Sequence, residues 1–327
     1  MAEDLRKKAA GLLALGSWHV YSRQTLDESV AFVDAALARG INRFDLADYW
    51  DCGLRNTTRF KEVMRQLGRP RGDYKIDIKV FTNSERTREQ EVCELLGLLG
   101  IDYADSVLCS RPAPEESLED ACKAMDALVS KGLAKELDFS LWDAPLLSQA
   151  YDHMRREGLA LPRYVQFQYN ICRRDVVESN AYQKLFADTG LKLQAAFPLE
   201  GGILAGHTTR QRFDPETRSE EWFGPGDRNI ARDSGGIRDR IVAKVPRLIE
   251  VAGEHGLTSA QLAIAFVTTN PNLESILFGA TKIWQIDEAI DGVCYALQHP
   301  ETVKIISEEF RVNGSAAPKL FDISKVK

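Results

Sequence analysis

The sequence predicts an α/β protein of the (β/α)8 TIM-barrel class, and two observations support this prediction. Eight short apolar runs recur along the 327 residues, and amphipathic segments with helical spacing separate them. Strands that alternate with helices form a parallel sheet with the helices outside, and eight such units close into a barrel. An open, doubly wound sheet is the rival fold, but no Gly-x-Gly-x-x-Gly motif follows the first run. We therefore expect a barrel.

The eight apolar runs are the expected barrel strands. They comprise residues 12–18, 42–48, 74–80, 104–110, 135–141, 164–170, 192–198 and 274–280. Residues 27–40 and 117–132 are two of the helical segments between them. The second begins with Ser117 three positions before Asp120 and ends at Gly132, as expected of a capped helix.

A single domain over residues 1–327 is expected, with two segments outside the regular alternation. Residues 205–235 are polar, rich in Gly and Pro, and too long for an ordinary connection. They follow the seventh predicted strand, so they lie on the face where such barrels carry their sites. This loop is either a mobile surface loop or a flap over a ligand. The tail at 300–327 is a second candidate to cover the barrel mouth.

Composition narrows the possible partners and the compartment. The net charge of −6 argues against a nucleic-acid surface, and no run of roughly 18 apolar residues predicts a membrane span. The first residues lack a signal-peptide cleavage pattern. The six cysteines form no Cys-x-x-Cys pair, which favours reduced thiols over disulfides or zinc. We expect a cytoplasmic protein that acts on a small molecule, without nucleic acid, membrane or metal.

Seven motifs occur in order along nearly the whole chain and resemble one family. They are GSW at 16–18, RFDLAD at 43–48, DYADSVLCSRP at 102–112, QFQYN at 166–170, PLEGGILAG at 198–206, SAQLAIAFV at 259–267 and FGATKIWQIDEAI at 278–290. They resemble the aldo-keto reductases, (β/α)8 enzymes that pass a hydride from NADPH to a carbonyl. The resemblance implies the barrel fold, NADP(H) as cofactor and a small organic substrate.

The resemblance also implies a catalytic set at the strand ends, which is incomplete here. The family uses an aspartate, a tyrosine, a lysine and a histidine, because a phenol of pKa near 10 needs a neighbouring cation to act as an acid. Asp45 and Lys79 match, while Trp50 replaces the tyrosine and Ser110 the histidine. An indole N–H does not release a proton to a carbonyl. All four positions are catalytic candidates.

Tyr49 is a further catalytic candidate, one residue before the family's tyrosine position. On a continuous strand one step reverses the direction of a side chain. Tyr49 would then pack against a helix, and it would reach the pocket only if the strand has already ended.

The implied cofactor residues are partly kept. Ser140 and Gln166 match the carboxamide site, but Leu141 replaces an asparagine and Ala196 replaces a ring-stacking tyrosine. Leu199 is a further expected cofactor-binding residue. At the phosphate end the matching residues are Gly279, Thr281, Lys282, Gln285 and Glu288, whereas Ala289 replaces an asparagine. Lys282 is either the partner of a 2′-phosphate or an ordinary surface lysine in a salt bridge.

Trp18, His19 and Trp142 are the expected residues of the substrate pocket, because each lies at the end of a predicted strand or directly after it, at the catalytic face. Trp18 and Trp142 are either walls of the pocket or packing residues. His19 either replaces the missing histidine from another direction or lies on the surface.

Three classes of function remain open from the sequence. The first is a redox enzyme that uses NADP(H) with a rearranged proton donor, such as Tyr49 or His19. The second is a redox-neutral dehydratase, lyase, cyclase or isomerase that uses Asp45 and Lys79. The third is a non-catalytic binding or regulatory protein. Likeness at the level of fold does not choose among them, since function depends on the site.

Overall fold

A computed structural model describes residues 2–17, 20–21, 24–47, 50–51, 54–80, 86–113, 115–208 and 237–314 of the chain. Of residues 50, 51 and 54 it describes the backbone alone. The predicted loop therefore lies largely outside the described residues, as do Trp18, His19, Tyr49 and the last part of the tail.

Eight parallel strands close into the predicted barrel. The strands in chain order are β1 (Leu13–Gly16), β2 (Arg43–Leu46), β3 (Trp50–Asp51), β4 (Leu54–Arg55), β5 (Lys75–Val80), β6 (Ala104–Cys109), β7 (Ala134–Ser140), β8 (Tyr164–Gln168), β9 (Lys192–Ala196) and β10 (Leu273–Phe278). The barrel order is β1-β10-β9-β8-β7-β6-β5-β2. Each of the eight apolar runs overlaps one barrel strand, with β7 and β10 beginning one residue before their runs, so the predicted fold is confirmed.

Helices surround the barrel. Those described are α1 (Ala2–Gly11), α2 (Leu26–Ala38), α3 (Asn56–Leu67), α4 (Arg88–Leu99), α5 (Leu118–Ser130), α6 (Ala144–Glu157), α7 (Asn180–Thr189), α8 (Arg238–Glu254), α9 (Ser259–Thr268), α10 (Ile283–Gln298) and α11 (Pro300–Ser307). Short 3-10 helices occupy Arg71–Asp73, Glu200–Ala205 and Glu308–Phe310. The predicted cap of α5 is confirmed: Ser117 accepts a hydrogen bond from the Asp120 backbone N–H, and Gly132 has a φ of 73°.

Two elements differ from the expectation. Helix α1 precedes the first barrel strand and was not among the helical segments expected from the sequence. Its residues Ala9 and Ala10 are fully buried, so a short small-residue face docks the helix. Strands β3 and β4 form a separate antiparallel pair after β2. Because β2 ends at Leu46, the alternation of its side chains does not extend to Trp50.

The apolar core lies between the barrel strands and the helices. Phe44 and Leu46 on β2 belong to it, and so do residues of every other barrel strand. Asp45, between them on β2, alternates to the other side of the sheet, as strand geometry requires. Helices α9 and α10 pack closely at Gly292, which has no side chain. A Cβ at this position would lie only 2.7 Å from the Gln261 carbonyl oxygen.

The described part of the tail lies against the segment that follows β8. The Val312 backbone N–H donates to the Cys172 carbonyl at 2.9 Å, and Arg174 donates to Glu308 Oε1 at 2.9 Å. Phe310 is fully buried. The beginning of the tail is therefore anchored near the end of β8. Among the described helices, none combines the length and the apolar character that a membrane crossing requires.

Candidate active site

Asp45, Lys79 and Gln166 meet at one point inside the barrel, although they come from β2, β5 and β8. Lys79 Nζ lies 3.4 Å from Asp45 Oδ1, and Gln166 Nε2 donates to Asp45 Oδ2 at 2.8 Å. All three residues are buried, at 8% exposure or less. Each carboxylate oxygen of Asp45 thus has its own partner, which fixes the orientation of the ion pair.

A chain of amide and hydroxyl groups extends this cluster across the barrel. Gln166 Nε2 also donates to Gln194 Oε1 at 2.6 Å, and Gln194 Nε2 donates to Ser275 Oγ at 3.1 Å. Gln194 is fully buried and Ser275 nearly so. Both N–H groups of Gln166 are therefore engaged, and its carbonyl oxygen is the group left for a ligand. Gln194 and Ser275 were not predicted from the sequence, since a buried barrel interior is usually apolar.

The remaining predicted catalytic residues are only partly described. Ser110 follows β6, is half-buried, and donates its backbone N–H to the Val80 carbonyl at 3.1 Å. The backbone of Trp50 lies on the β3–β4 hairpin. Tyr49, Trp18 and His19 lie outside the described residues. The roles of these five residues stay predictions.

Ser140 and Gln166 are register partners on adjacent strands. Both are buried, at 5% and 4% exposure. Leu141, directly after Ser140, has a φ of 59°. This left-handed conformation suits asparagine or glycine better than leucine. The backbone therefore keeps a conformation suited to the asparagine that the resemblance implies, while the amide side chain is missing.

Trp142 is fully buried beside this turn. Its indole N–H donates to the Cys109 carbonyl at 3.0 Å, and its ring lies 4.4 Å from the Phe139 ring, between centroids. Tyr182 donates its hydroxyl to the Trp142 carbonyl. These contacts show a packing role in the described structure, and the predicted role in a pocket wall stays a prediction. Cys109 is also buried, and burial raises the pKa of its thiol to about 12.

Two further residues with positive φ follow β9. They are Phe197, at 54°, and Glu200, at 46°. Together with Leu141 they place unusual backbone conformations after β7 and β9, the two strands that flank β8 in the barrel. Such conformations cost of order 1 kcal/mol or more each and cluster at functional sites. They support a ligand site at the carboxyl ends of β7 and β9.

Three buried side-chain atoms near the strand ends have no hydrogen-bond partner among the residues that the structure describes. They are Ser17 Oγ, Gln24 Oε1 and Gln168 Oε1. Ser17 directly follows β1, and Gln168 is the last residue of β8. Buried polar groups are usually paired, so each unpaired atom indicates a position that a ligand can satisfy. The sequence analysis missed Gln168, although it lies two residues after Gln166 on one strand and so faces the same side.

The predicted phosphate end begins after β10 and continues into α10. Gly279 is exposed, and a Cβ there would meet nothing within 4 Å. Gln285 Oε1 accepts the backbone N–H groups of Thr281 and Lys282, at 2.8 and 3.0 Å. Gln285 therefore caps the helix from within. Lys282 is exposed and acts electrostatically on Glu28, whose pKa is lowered chiefly by a hydrogen bond from the Thr25 backbone.

Glu288 has a partner of its own, the Thr258 hydroxyl at 2.7 Å. Thr258 is the N-cap of α9, so this contact joins the starts of two helices. A ligand that uses Glu288 has to share or replace that hydrogen bond.

The model of the Aldo/keto reductase family matches residues 12–307, which include all the barrel strands. The chain belongs to this family. The sequence expectation of the family is confirmed, and the closed barrel agrees with it.

The similarity between this aldo/keto reductase family member and its relatives extends over nearly the whole chain. A probable voltage-gated potassium channel subunit beta from Arabidopsis thaliana is 30% identical over 295 residues, which are 86% of this chain and 87% of the relative. A protein of the same description from Oryza sativa subsp. japonica is 31% identical over 304 residues, 89% and 90% of the two chains. Among solved structures, an aldo-keto reductase from Klebsiella pneumoniae in complex with NADPH has a TM-score of 0.67 at 18% identity, over 95% of each chain. That similarity shows the fold.

A second buried ion pair of this family member lies beyond β9. Arg173 donates to Glu200 at 2.7 Å, and Asn170 Nδ2 donates to Glu200 Oε2 at 2.7 Å and to the Phe197 carbonyl at 3.1 Å. All these polar side chains are buried. The network holds the 3-10 helix Glu200–Ala205 and the preceding turn with Leu199 against the end of β8. Leu199 is half-buried and packs on the core, and its cofactor role stays a prediction.

Two buried carboxyl groups lie deeper in the barrel of this aldo/keto reductase family chain. Burial raises the pKa of Asp77 to about 6 although Arg43 opposes the rise, and burial raises the pKa of Asp138 to about 7. Asp138 accepts the Ser106 hydroxyl at 2.6 Å and two backbone N–H groups. Asp77 is the register partner of Asp45, and Asp138 lies two residues before Ser140 on β7, so both precede Lys79 and Ser140 along their strands. Among the described residues, no group of three or more His, Cys, Asp or Glu side chains is arranged so that it could hold a metal ion.

Proposed function

We propose that this chain binds NADP(H) in the barrel mouth and carries out redox chemistry on a carbonyl or alcohol group of a small organic molecule. The observation that carries the proposal is the buried cluster of Lys79, Asp45 and Gln166 at the carboxyl ends of three strands. In a (β/α)8 barrel this end carries the active site. A buried, oriented cation there has a chemical use, because it stabilises a developing negative charge on oxygen.

The residues present fit the cofactor at both of its ends. Ser140, the free carbonyl of Gln166 and the unpaired atoms of Ser17 and Gln24 offer hydrogen-bonding groups near the strand ends. An unpaired buried polar atom costs roughly 1–3 kcal/mol, and a bound ligand removes that cost. Lys282 offers an exposed cation for a phosphate, and Gly279 offers open backbone. When bound, the cofactor supplies or takes up the hydride.

The protein's own residues position and polarise the substrate. Lys79 directs its ammonium group at the carbonyl oxygen, Asp45 holds Lys79, and Gln166 holds Asp45. Trp50 gives no acid at the family's tyrosine position, so we assign proton donation to Tyr49 or His19, a rearranged site. Losing a well-placed acid costs about 10²- to 10⁴-fold in rate. We therefore expect slow turnover of common aldehydes.

A regulatory role is the second candidate, and a specific observation favours it. The relatives at 30% and 31% identity are described as probable channel β-subunits, and their similarity extends over nearly the whole of both chains. A protein that binds NADP(H) but turns over slowly can report cofactor occupancy to a partner. Under this alternative, Lys79 and Asp45 stabilise the site without rapid catalysis.

Cofactor titration tests the proposal. Tryptophan fluorescence is followed during titration with NADPH and separately with NADH. We expect saturable binding, tighter for NADPH, since Lys282 can pair with the 2′-phosphate. Lys282→Gln should weaken NADPH binding and leave NADH binding unchanged, and Lys304→Gln on α11 is the matched surface control. The absence of saturation at millimolar NADPH would exclude the proposal.

Chemistry is tested separately from binding. NADPH oxidation is measured with a panel of aldehydes and ketones, and NADP+ reduction with the corresponding alcohols. Lys79→Met should abolish any activity found. Borohydride trapping should give no substrate adduct at Lys79, because Asp45 favours its charged form over a nucleophilic amine. If NADPH binds and no probe turns over, the regulatory candidate takes first place.

A further inference from the structure

Gln168 is a buried amide whose oxygen has no hydrogen-bond partner in the described part of the chain. It is the last residue of β8 and 5% exposed. Gln166, two residues earlier, points into the barrel, as its contacts with Asp45 and Gln194 show. Because side chains alternate along a strand, Gln168 faces the same side, one step closer to the mouth.

The neighbours of Gln168 leave room on that side. Its register partner on β9 is Ala196, which carries a single methyl group. On the opposite edge of β8, Ser140 of β7 is paired with Gln166. Leu141 follows Ser140 and donates its backbone N–H to the backbone carbonyl of Gln166 at 3.0 Å. Gln168 therefore lies at the β8 end beside the turn that Leu141 occupies.

An inventory of hydrogen-bonding groups shows what is missing around a primary carboxamide. Such a group has two N–H donors and one carbonyl acceptor. The Ser140 hydroxyl can donate to the carbonyl. Gln166 has both N–H groups engaged by Asp45 and Gln194, so it can only accept, and it accepts one N–H. Leu141 offers no side-chain acceptor, so the second N–H lacks a partner.

We propose that Gln168 Oε1 accepts this second N–H of the nicotinamide carboxamide and so supplies from β8 the amide contact that Leu141 cannot make. The inference rests on the proposed function, because it takes NADP(H) as the ligand. Gln168 is thereby a positioning residue for the nicotinamide ring. The unpaired oxygen, its burial and its place on the strand carry the assignment.

The test compares three ligands on the parent chain and on Gln168→Met, which keeps the length of the side chain and removes its amide. The ligands are NADP+, its 3-acetylpyridine analogue, in which a methyl replaces the carboxamide NH2, and 2′,5′-ADP, which lacks the nicotinamide ring. Binding is measured by calorimetry. We expect Gln168→Met to weaken NADP+ binding by about 3- to 10-fold, the worth of one neutral hydrogen bond. The affinity for the other two ligands should not change.

The affinities for the three ligands distinguish a failure of the proposed function from a failure of the assignment of Gln168. If 2′,5′-ADP and NADP+ both fail to bind the parent, the proposed function fails. If they bind the parent and Gln168→Met binds NADP+ as tightly as the parent does, the assignment of Gln168 is wrong. An equal loss for all three ligands also overturns it, since that shows general damage to the site.

A second variant keeps the test decisive if Gln168→Met lowers the affinity by disturbing the fold. Leu141→Asn, added to Gln168→Met, places an amide at a φ of 59°, which asparagine adopts readily. We expect it to restore NADP+ binding to within about 2-fold of the parent, because the hydrogen bond of the new asparagine replaces the one lost with the Gln168 amide. Leu141→Ala in the same background is the matched control and should not restore it. Equal effects of asparagine and alanine would contradict the proposal.

Discussion

Lys79 Nζ lies 3.4 Å from Asp45 Oδ1, and the two side chains are only 10% and 4% exposed. An ion pair removed from water in this way pays a large desolvation cost, so its persistence requires further hydrogen bonds. Gln166 provides one of them to the other oxygen of Asp45. The pair is thus part of a connected cluster whose members depend on one another.

Removing one partner of this pair should destabilise the fold far more than removing both. Lys79→Met leaves the Asp45 carboxylate buried without its cation, and we expect a loss of roughly 3–5 kcal/mol in the free energy of unfolding. Asp45→Asn combined with Lys79→Met should recover most of that loss. Urea denaturation of the parent, both single variants and the double variant measures the coupling.

Lys75→Met is the matched control for the ion-pair cycle, because Lys75 lies on the same strand at its exposed end. It should change the free energy of unfolding by less than about 0.5 kcal/mol. Additive single effects at Asp45 and Lys79 would show that the two groups do not interact.

The buried carboxyl of Asp138 should make stability fall as pH rises. Burial raises its pKa to about 7 in the folded chain, from the ordinary value of 3.8 that applies to the unfolded chain. Between about pH 4 and 7 the folded state therefore keeps a proton that the unfolded state has lost. Its contribution falls by up to about 1.4 kcal/mol per pH unit through that window.

Asp138→Asn should remove this contribution while the asparagine oxygen still accepts both backbone N–H groups. The difference from the parent should be clearest between about pH 6 and 7, because Asp77 has a similar slope that ends near its pKa of about 6. Urea denaturation across this range measures it. Asp73→Asn, at an exposed position, is the control, and a variant curve parallel to that of the parent would contradict the prediction.

Most of the fold could be predicted from the sequence, because the physical signals are local. Each barrel strand coincides with a short apolar run to within one residue at its start, and Ser117 with Asp120 marks the start of α5. Asp45, Lys79, Ser140 and Gln166 could be placed at strand ends because parallel strands bring all their carboxyl ends to one face. The hairpin β3–β4 could not be predicted, since strands of only two residues have no detectable period.

The polar residues inside the barrel could not be predicted from the sequence, for a different reason. Gln194, Ser275 and Gln168 become recognisable only when the register of the strands is known, because each gains its meaning from a neighbour distant in the chain. The positive φ of Leu141 was likewise hidden, since leucine gives no signal for it. Residue type predicts a left-handed turn only where Gly or Asn is present.

The strain at Leu141 leads to a prediction about stability. Leu141→Asn and Leu141→Ala both remove the contacts of leucine with the core, but only asparagine suits a φ of 59°. We expect the asparagine variant to be more stable than the alanine variant by about 0.5–1 kcal/mol. Thermal and urea denaturation of the pair measure this difference. Equal stability would show that the turn relaxes in the variants.

The central claim is that the barrel mouth keeps the anchoring pair Asp45 and Lys79, while Trp50 and Ser110 stand where the family has its tyrosine and histidine. The most direct test is a single-turnover measurement of bound NADPH, whose fluorescence is followed after mixing with an aromatic aldehyde. Trp50→Tyr combined with Ser110→His should oxidise it at least about 10²-fold faster than the parent, which is the lower range for a restored general acid. Adding Lys79→Met should abolish that gain. Rapid oxidation by the parent, unchanged in the double variant, would contradict the claim.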